Sequence, residues 1–579
     1  MKLIDALEVL RRPVLDAAPD LRVFLSCGFT PLHLQTFIAA QLRMQCPGHR
    51  VEVSTGLFGD LIGNIERLNL AGLESLAVVI EWADLDSRLA IRNLGGWRAA
   101  DLPDIVKSAD QAATRLQEVL VRVSQLVPTV VCFPTLPLPP MFLTTPDRLA
   151  SFEIQLRHKV ASLALALSEQ AGIRIANTQY LNEMSSPNTR FDVKSEMITG
   201  FPYSLPHSAM LGRVMARLIH NDPPKKGLIT DLDDTLWGGI LGEDGINGIT
   251  WDLEHRTHMH GLYQQFVASL ASAGVLVGVA SKNESAMVEQ AFNRSDLHIT
   301  KQDIFPLEIN WGRKSESVKR ILETWNISPD AVVFIDDSPT EAAEVKARFP
   351  ELESIVFPKS DYQGVWNLLV YLRGLFGKPS LTEDDSIRLS SIRNATAWRN
   401  DTRSSTSSSD EFLKDAESSI VFNCVRKSKD TRAFELVNKT NQFNLNGKRF
   451  SESEWSSYFC DPAAFLLVAS YQDKYGSLGK VAVVMGKSGS HDLSVKAWVM
   501  SCRAFSRRIE HQCLNYLFAT FGADEIIFDY EETPRNRPLQ DFFSELFGGP
   551  PRQGISLSRE VFERNSPRLF HSVTGEANV

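Results

Sequence analysis

The sequence predicts an α/β chain of more than one domain, and three observations predict it. At 579 residues the chain exceeds what a single hydrophobic core sustains, which suggests about three or four domains. Short apolar runs alternate with helical stretches, the pattern of parallel strands covered by helices. One apolar run, Gly227 to Thr230, ends abruptly in Asp231 and Asp233. Carboxylates at i and i+2 of an extended strand share one face at its C-terminal end, the edge of an α/β sheet where small ligands bind.

Composition narrows the class. With 43% hydrophobic and 23% charged residues, the chain has the makeup of a soluble globular protein. A formal charge of −9 disfavours a nucleic-acid partner, although local Lys and Arg can still hold small anions. No apolar run reaches about 18 residues and Met1 to Arg12 mixes charges, so neither a membrane span nor a signal peptide is expected. The seven cysteines, at 27, 46, 132, 424, 460, 502 and 513, show no C-x-x-C spacing, which fits a reducing cytoplasm better than a disulfide framework or a zinc site.

In chain order, residues 1–220 read as an α/β domain of their own. Strand-like runs at Arg22 to Ser26, Val51 to Val53, Leu76 to Trp82, Val127 to Phe133 and Ile173 to Ala176 alternate with helical stretches at Pro31 to Arg43 and Ile105 to Val127. Residues 221–378 hold the acidic motif and three companions. Val275 to Ala280 is an apolar run ending in Ser281, Gly312-Arg313-Lys314 precedes a helical pattern, and Val332 to Ile335 ends in Asp336-Asp337. One carboxylate of the first motif can attack phosphorus while its neighbour moves a proton, and the pair can share a divalent cation. The glycine-rich stretch Trp237 to Ile249 reads as a hinged flap. The gaps of about 50 and about 33 residues between motifs leave no room for a large cap once helices are subtracted. His255, His258 and His260 lack Cys partners and read as a solvated helix start ahead of a helix from Leu262 to Ala273.

The order Asp-x-Asp, Ser, Lys, Asp-Asp resembles the haloacid dehalogenase (HAD) superfamily. The resemblance implies a Rossmann-like core with Asp231 as nucleophile and Asp233 as the acid that protonates the leaving group and later acts as base. It makes Ser281 and Lys314 the groups holding the phosphoryl oxygens. A Mg²⁺ site would be formed by Asp231, Asp336, Asp337 and the backbone carbonyl of Asp233. Chains with such a module often begin with an SGNH-hydrolase-like domain, whose nucleophilic Ser corresponds in place to Ser26. That domain's late Asp-x-x-His is incomplete here: His207 has Ser204 in the Asp position, so the first domain is expected not to be an active hydrolase but to position something.

Residues 379–415 read as a helical and polar linker, with Asp401 to Asp410 as a loop. Residues 416–579 carry strand-like runs at Val421 to Cys424, Phe465 to Tyr471, Lys480 to Met485 and Val495 to Val499. A helix from Ile509 to Phe521, a strand from Glu525 to Tyr530 and a helix from Asp541 to Leu546 follow. This succession resembles the α+β GNAT acyltransferase fold. With Asn438 to Asn444 and Ser501-Cys502-Arg503, the whole arrangement resembles the FkbH-like proteins. That resemblance implies an acyl group taken from 1,3-bisphosphoglycerate, with loss of phosphate, and loaded onto an acyl carrier protein.

Two departures bear on it. Relatives carry Cys before the motif-two Ser, where this chain has Ala280, and a glycine-rich run after Ser-Cys-Arg, where it has Ala504 to Arg508. Arg503, Arg507 and Arg508 are the candidates for holding a phosphate or an acidic carrier. Cys502 has two readings, a thiol made reactive by those arginines or a residue packed where a strand meets a helix. Two functions stay open: phosphoryl removal coupled to acyl transfer, and a plain phosphatase whose flanking domains recruit a partner.

Overall fold

The computed structural model describes residues 1–14, 18–94, 96–140, 143–378, 380–404, 409–425, 430–551 and 554–578. They form two compact units, one of Met1–Asp222 with Phe450–Cys460, the other of Pro223–Arg449 with Asp461–Val579.

The first unit is built on five parallel strands: β1 (Asp20–Cys27), β2 (Arg50–Thr55), β3 (Ser75–Val79), β4 (Thr129–Cys132) and β5 (Ile173–Ile175), in the order β2-β1-β3-β4-β5. Every residue of β3 is buried, as a central strand covered on both faces requires. Leu76 and Val78 pack into one core and Ala77 and Val79 into the other, the two-residue period of a strand. Each expected hydrophobic run contains a strand, although the run Leu76 to Trp82 ends in the start of the helix Trp82–Leu85, and the helices Leu32–Gln45 and Leu102–Ser124 take their expected places.

The segment 450–460, distant in sequence, belongs to this unit. Its helix Glu452–Tyr458 opens with a capping box, Ser451 Oγ accepting from Glu454 N at 3.1 Å while Glu454 Oε2 accepts from Ser451 N at 2.9 Å. Glu452 pairs with Arg174, and Ser453 Oγ donates to Leu73 O at 3.1 Å. The sequence assigns this segment to the C-terminal region, since nothing in its composition marks the change of unit.

The second unit contains two sheets. The first is parallel throughout, with β6 (Gly227–Thr230), β7 (Leu276–Ser281), β8 (Ile304–Ile309), β9 (Val332–Asp336) and β10 (Glu353–Val356) in the order β10-β9-β6-β7-β8. It is Rossmann-like, and β6 and β9 are adjacent, so their C-terminal carboxylates meet. The other sheet is mixed. β11 (Ser419–Val425), β12 (Phe443–Asn444), β13 (Ala464–Asp473), β14 (Gly476–Ser488), β15 (Asp492–Met500), β16 (Glu525–Phe528), β17 (Ser556–Ser558) and β18 (Ser572–Asn578) run in the order β17-β16-β15-β14-β13-β11-β18, with β12 on β15. The pair β15-β16 is parallel inside an otherwise mainly antiparallel run. Helices Ile509–Phe521 and Arg537–Phe547 cover this sheet through Leu514, Leu517, Leu539 and Phe543.

Two expectations are corrected. The stretch taken for a linker contains the helix Glu383–Ser404, which packs into the unit: Ile392 joins the core of the parallel sheet, and Trp398 is buried beside Leu413 and Ala416. Gly274, at φ +77°, admits it, because a Cβ there would lie 2.4 Å from Asp385 O. Asp401 to Ser404 continue that helix and Ser409–Asp415 form another, while 405–408 of the expected loop lie outside the described residues. The polar composition misled because this helix buries only a narrow stripe. The second correction concerns the histidines. The helix runs His258–Ser272, and His260 is buried with Nδ1 2.9 Å from Thr235 O, whereas His255 lies exposed against Asp252.

In the first unit, burial pushes the Asp84 carboxyl from 3.8 up to about 7, opposed by the hydrogen bond it accepts from the Glu81 backbone N–H and aided to a smaller extent by the Glu81 charge. A carboxyl whose folded value is raised contributes stability that is complete below 3.8 and disappears as pH rises through about 7. Asp84→Asn should therefore gain denaturant resistance over wild type progressively between about pH 4 and pH 8, measured by chemical denaturation of the full chain. A difference independent of pH would contradict this origin.

Candidate active site

The site forms where β6, β7 and β9 end, because each of these mainly apolar strands brings a polar side chain to the same edge of the sheet. Asp231 directly follows β6, Ser281 closes β7 and Asp336 closes β9, and all three are buried. The backbone N–H of Asp231 donates to Ile335 O at 2.9 Å, which fixes the two acidic ends side by side. Lys314, the first residue of helix Lys314–Trp325, places Nζ 2.6 Å from Asp231 Oδ2 and 2.6 Å from Asp336 Oδ2. The helix positions it through an amphipathic stripe, with Val318, Ile321 and Trp325 buried along the same face.

Two buried carboxylates share one ammonium, so their charge is only partly compensated. Burial raises the Asp231 carboxyl above its ordinary value, Lys314 opposing this and Asp336 adding to it. Asp336 is likewise raised, by burial first and against the pull of Lys314. Burial alone would lower the Lys314 ammonium, but the facing Asp231 and Asp336 leave it above its usual value.

Asp233 occupies a different environment. Its Oδ1 accepts from Trp237 Nε1 at 2.9 Å and from Leu241 N at 3.1 Å, and its Oδ2 accepts from Asn283 Nδ2 at 3.0 Å. Asn283 also donates to Ser281 Oγ at 3.2 Å, linking the ends of the first two motifs. The turn between them is held by Asp234, at φ +51°, which accepts from Gly239 N at 2.9 Å. Gly238 and Thr250 exchange backbone hydrogen bonds of 2.8 and 3.0 Å, closing the glycine-rich flap at its base.

Carboxylate oxygens of Asp231, Asp336 and Asp337 lie within 4.8 Å of one another. Asp231 Oδ1 is buried without a hydrogen-bond partner among the described residues. A donor set made only of carboxylate oxygens, one of them otherwise unsatisfied, fits Mg²⁺, which prefers hard oxygen ligands. The Asp233 side chain lies outside this cluster, leaving only its backbone carbonyl for the role implied by the resemblance.

Sequence reasoning missed Asn283 and Lys359. Lys359 Nζ lies 2.7 Å from Asp234 Oδ2 and 2.8 Å from Asp337 Oδ2, tying the first motif's turn to the fourth motif. Its place beyond β10 carries no sequence signal, whereas Asn283, two residues past Ser281, is signalled by strand spacing. Trp237 is fully buried as the Asp233 donor, Trp325 is a core residue, and Trp311 is exposed.

The remaining candidates lie away from this edge. Cys502 follows β15 and is half-buried. Arg507 is buried in an ion pair with Asp473 at 3.2 Å and lies over the Trp398 ring. Arg508 pairs with Asp410 at 2.6 Å, and Arg503 meets the hydroxyls of Ser391 and Ser501. Ala280 is buried at the end of β7. In the first unit, Ser26 Oγ donates to Leu61 O at 3.1 Å, while the His207 ring nitrogens face Thr135 Oγ1 at 3.1 Å and Ser185 Oγ at 3.0 Å. Both His207 nitrogens are thus engaged with groups other than Ser26.

No protein-family model matches the sequence, and no curated protein matches it. Among solved structures, the N-terminal part of the protein BF1531 from Bacteroides fragilis, containing a phosphatase domain complexed with Mg, superposes with a TM-score of 0.53 at 19% identity, covering 66% of this chain and all of that one. At that identity the likeness is one of fold. A phospholipase A1 from Streptomyces albidoflavus NA297 matches over 36% of this chain and all of its own at 13% identity, with a TM-score of 0.25, too low to support an argument.

Removing the shared cation tests the electrostatics. Lys314→Met leaves two buried carboxylates unneutralised and should cost about 3–5 kcal/mol near neutral pH. Because both carboxyls are raised, the loss should shrink as pH falls and one of them takes up a proton. Thermal denaturation at pH 5 and pH 7.5 measures this, and an equal loss at both would refute it.

Proposed function

We propose that the chain is a Mg²⁺-dependent phosphoryl-transfer enzyme acting on a phosphorylated small molecule. The observation that carries the reading is the division of labour between two carboxylates two residues apart: Asp231 faces Lys314 and Asp336, while Asp233 is fastened by Trp237 and Asn283. Asp231 attacks phosphorus, forming an aspartyl-phosphate as the bond to the leaving oxygen breaks, and Asp233 gives that oxygen its proton. Asp233 then takes a proton from water, whose oxygen attacks the aspartyl-phosphate and frees Asp231 and inorganic phosphate. Ser281 and Lys314 hold the phosphoryl oxygens.

Asp231, Asp336 and Asp337, with the backbone carbonyl of Asp233, would hold the cation. When bound, Mg²⁺ supplies the positive charge that lets a phosphate approach carboxylates. The fold shared with the Mg-complexed phosphatase domain of BF1531 supports the same reading. Seven free cysteines support a reducing compartment.

The finer proposal is FkbH-like coupling, in which a glyceryl-type acyl group from 1,3-bisphosphoglycerate passes to an acyl carrier protein. It is supported by the membership of the parallel and mixed sheets in one compact unit and by the partly accessible thiol of Cys502. The second reading, a phosphatase with flanking binding modules, is favoured by the pairing of Arg507 with Asp473 and of Arg508 with Asp410, which offsets much of the charge a carrier would meet.

Phosphate release should require Mg²⁺ and Asp231. Asp231→Asn should abolish turnover while leaving thermal stability at or above wild type, since it removes a raised carboxyl, and wild-type rates in that variant or in EDTA would sink the assignment. Mass spectrometry after incubation with 1,3-bisphosphoglycerate and candidate carriers separates the two readings. An acylated carrier supports coupling, with an acyl group on Cys502 marking the covalent route, and phosphate release with every carrier unmodified supports the plain phosphatase.

A further inference from the structure

A cleft of about 480 Å³ opens in the first unit, beside the helix Leu205–His220. That helix has two faces at helical spacing. Leu211, Val214, Met215 and Ile219 belong to the core that holds β1, β3 and β4, whereas Leu205, Pro206, Ala209, Met210 and Arg213 line the cleft. Neither Ser26 nor His207 lines it. Phe37 of the helix Leu32–Gln45 also lines it, and Gly212 lets the two helices approach there, because a Cβ at Gly212 would lie 2.7 Å from Phe37 Cβ. Ala6 and Val9 seat the helix Leu3–Arg11 against Phe37 and Ala40, which brings Leu3 into the lining, and Met184 joins from the end of the helix Thr178–Met184.

Two properties of the lining select a ligand. The first is an apolar wall that includes Met1, Met184 and Met210, thioethers whose unbranched side chains conform to an alkyl chain. The second is charge of one sign. Lys2 and Arg213 line the cleft, no acidic side chain does, and among the described residues neither cation has a carboxylate within 4.0 Å. Asp5 accepts from the Lys2 backbone N–H at 2.8 Å, at the start of its helix. Arg213 Nη2 donates to Tyr180 Oη at 2.8 Å, which orients the guanidinium, while Arg213 Nε is buried with no acceptor among the described residues. A buried donor without a partner carries a desolvation cost, and an acceptor brought by a ligand removes it.

We propose that this cleft binds a medium-chain carboxylate, its chain along the apolar wall and its carboxylate on Arg213, independently of the phosphoryl-transfer reading. A planar guanidinium pairs with a carboxylate through parallel N–H···O bonds, and Lys2 adds charge of the same sign. The volume of about 480 Å³ lies within the range of small-molecule sites. An occupied cleft would tie the helices Leu3–Arg11, Thr178–Met184 and Leu205–His220 to one another, so binding should raise the Tm.

Isothermal titration calorimetry of the full chain, with octanoate, butanoate and 1-octanol as separate titrants, tests this. Octanoate should saturate one site. Butanoate should bind at least about tenfold more weakly because its shorter chain buries less apolar surface, and 1-octanol at least about tenfold more weakly because it lacks the charge. Arg213→Gln removes the cation, and Leu205→Glu puts a like charge in the cleft at the first turn of a helix, where an acid is tolerated. Each should weaken octanoate by about tenfold or more and abolish the rise in Tm that octanoate gives wild type. The proposal is overturned by the absence of saturable octanoate binding to wild type, or by butanoate or 1-octanol binding as tightly as octanoate. Undiminished octanoate binding in either variant whose unliganded Tm matches wild type overturns it as well.

Discussion

A lysine ammonium 2.6 Å from each of two buried carboxylates, Asp231 and Asp336, is the interaction on which the candidate active site depends. Neither acid tolerates its place at the end of an apolar strand alone, because burial penalises the ionised form. Lys314 makes the arrangement possible but neutralises only part of the charge. The remaining negative charge, together with Asp231 Oδ1, which has no hydrogen-bond partner among the described residues, suits a cation. The geometry follows from topology: β6 and β9 are neighbours although about a hundred residues separate their ends, so a parallel ladder brings the two acids together.

The residues around this trio act as a frame. Trp237 and Asn283 hold Asp233 from two sides, and Lys359 ties Asp234 to Asp337. These donors come from the flap, the end of β7 and the segment beyond β10, so three parts of the chain must be correctly folded before the acids take their positions. Such dependence is what preorganised electrostatics requires, since donors already aimed at the reacting groups need no rearrangement during reaction.

The helix Glu383–Ser404 has a comparable role within its unit. Ile392 belongs to the core of the parallel sheet, while Trp398 lies under Arg507 near the mixed sheet. Its charged face supplies Asp384, Asp385 and Arg388 to a network of ion pairs with Lys378 and Arg432. One helix thus packs both sheets and orders the charges between them.

By itself the sequence determined most of the strands and the candidate site residues, because both depend on short-range patterns. Short apolar runs marked β1 to β7 and β9 but not β8, and the Asp-x-Asp, Ser, Lys and Asp-Asp motifs each mark a strand or helix end, where a polar residue after an apolar run is conspicuous. Tertiary structure alone decided which of those ends meet and what holds them. Lys359, the burial of His260, the different partners of Arg503, Arg507 and Arg508, and the transfer of 450–460 to the first unit all rest on contacts between distant segments. Periodicity carries no trace of such contacts: a lysine that bridges two acids and a lysine in water look alike in a sequence, and only the folded chain fixes the distance that separates them.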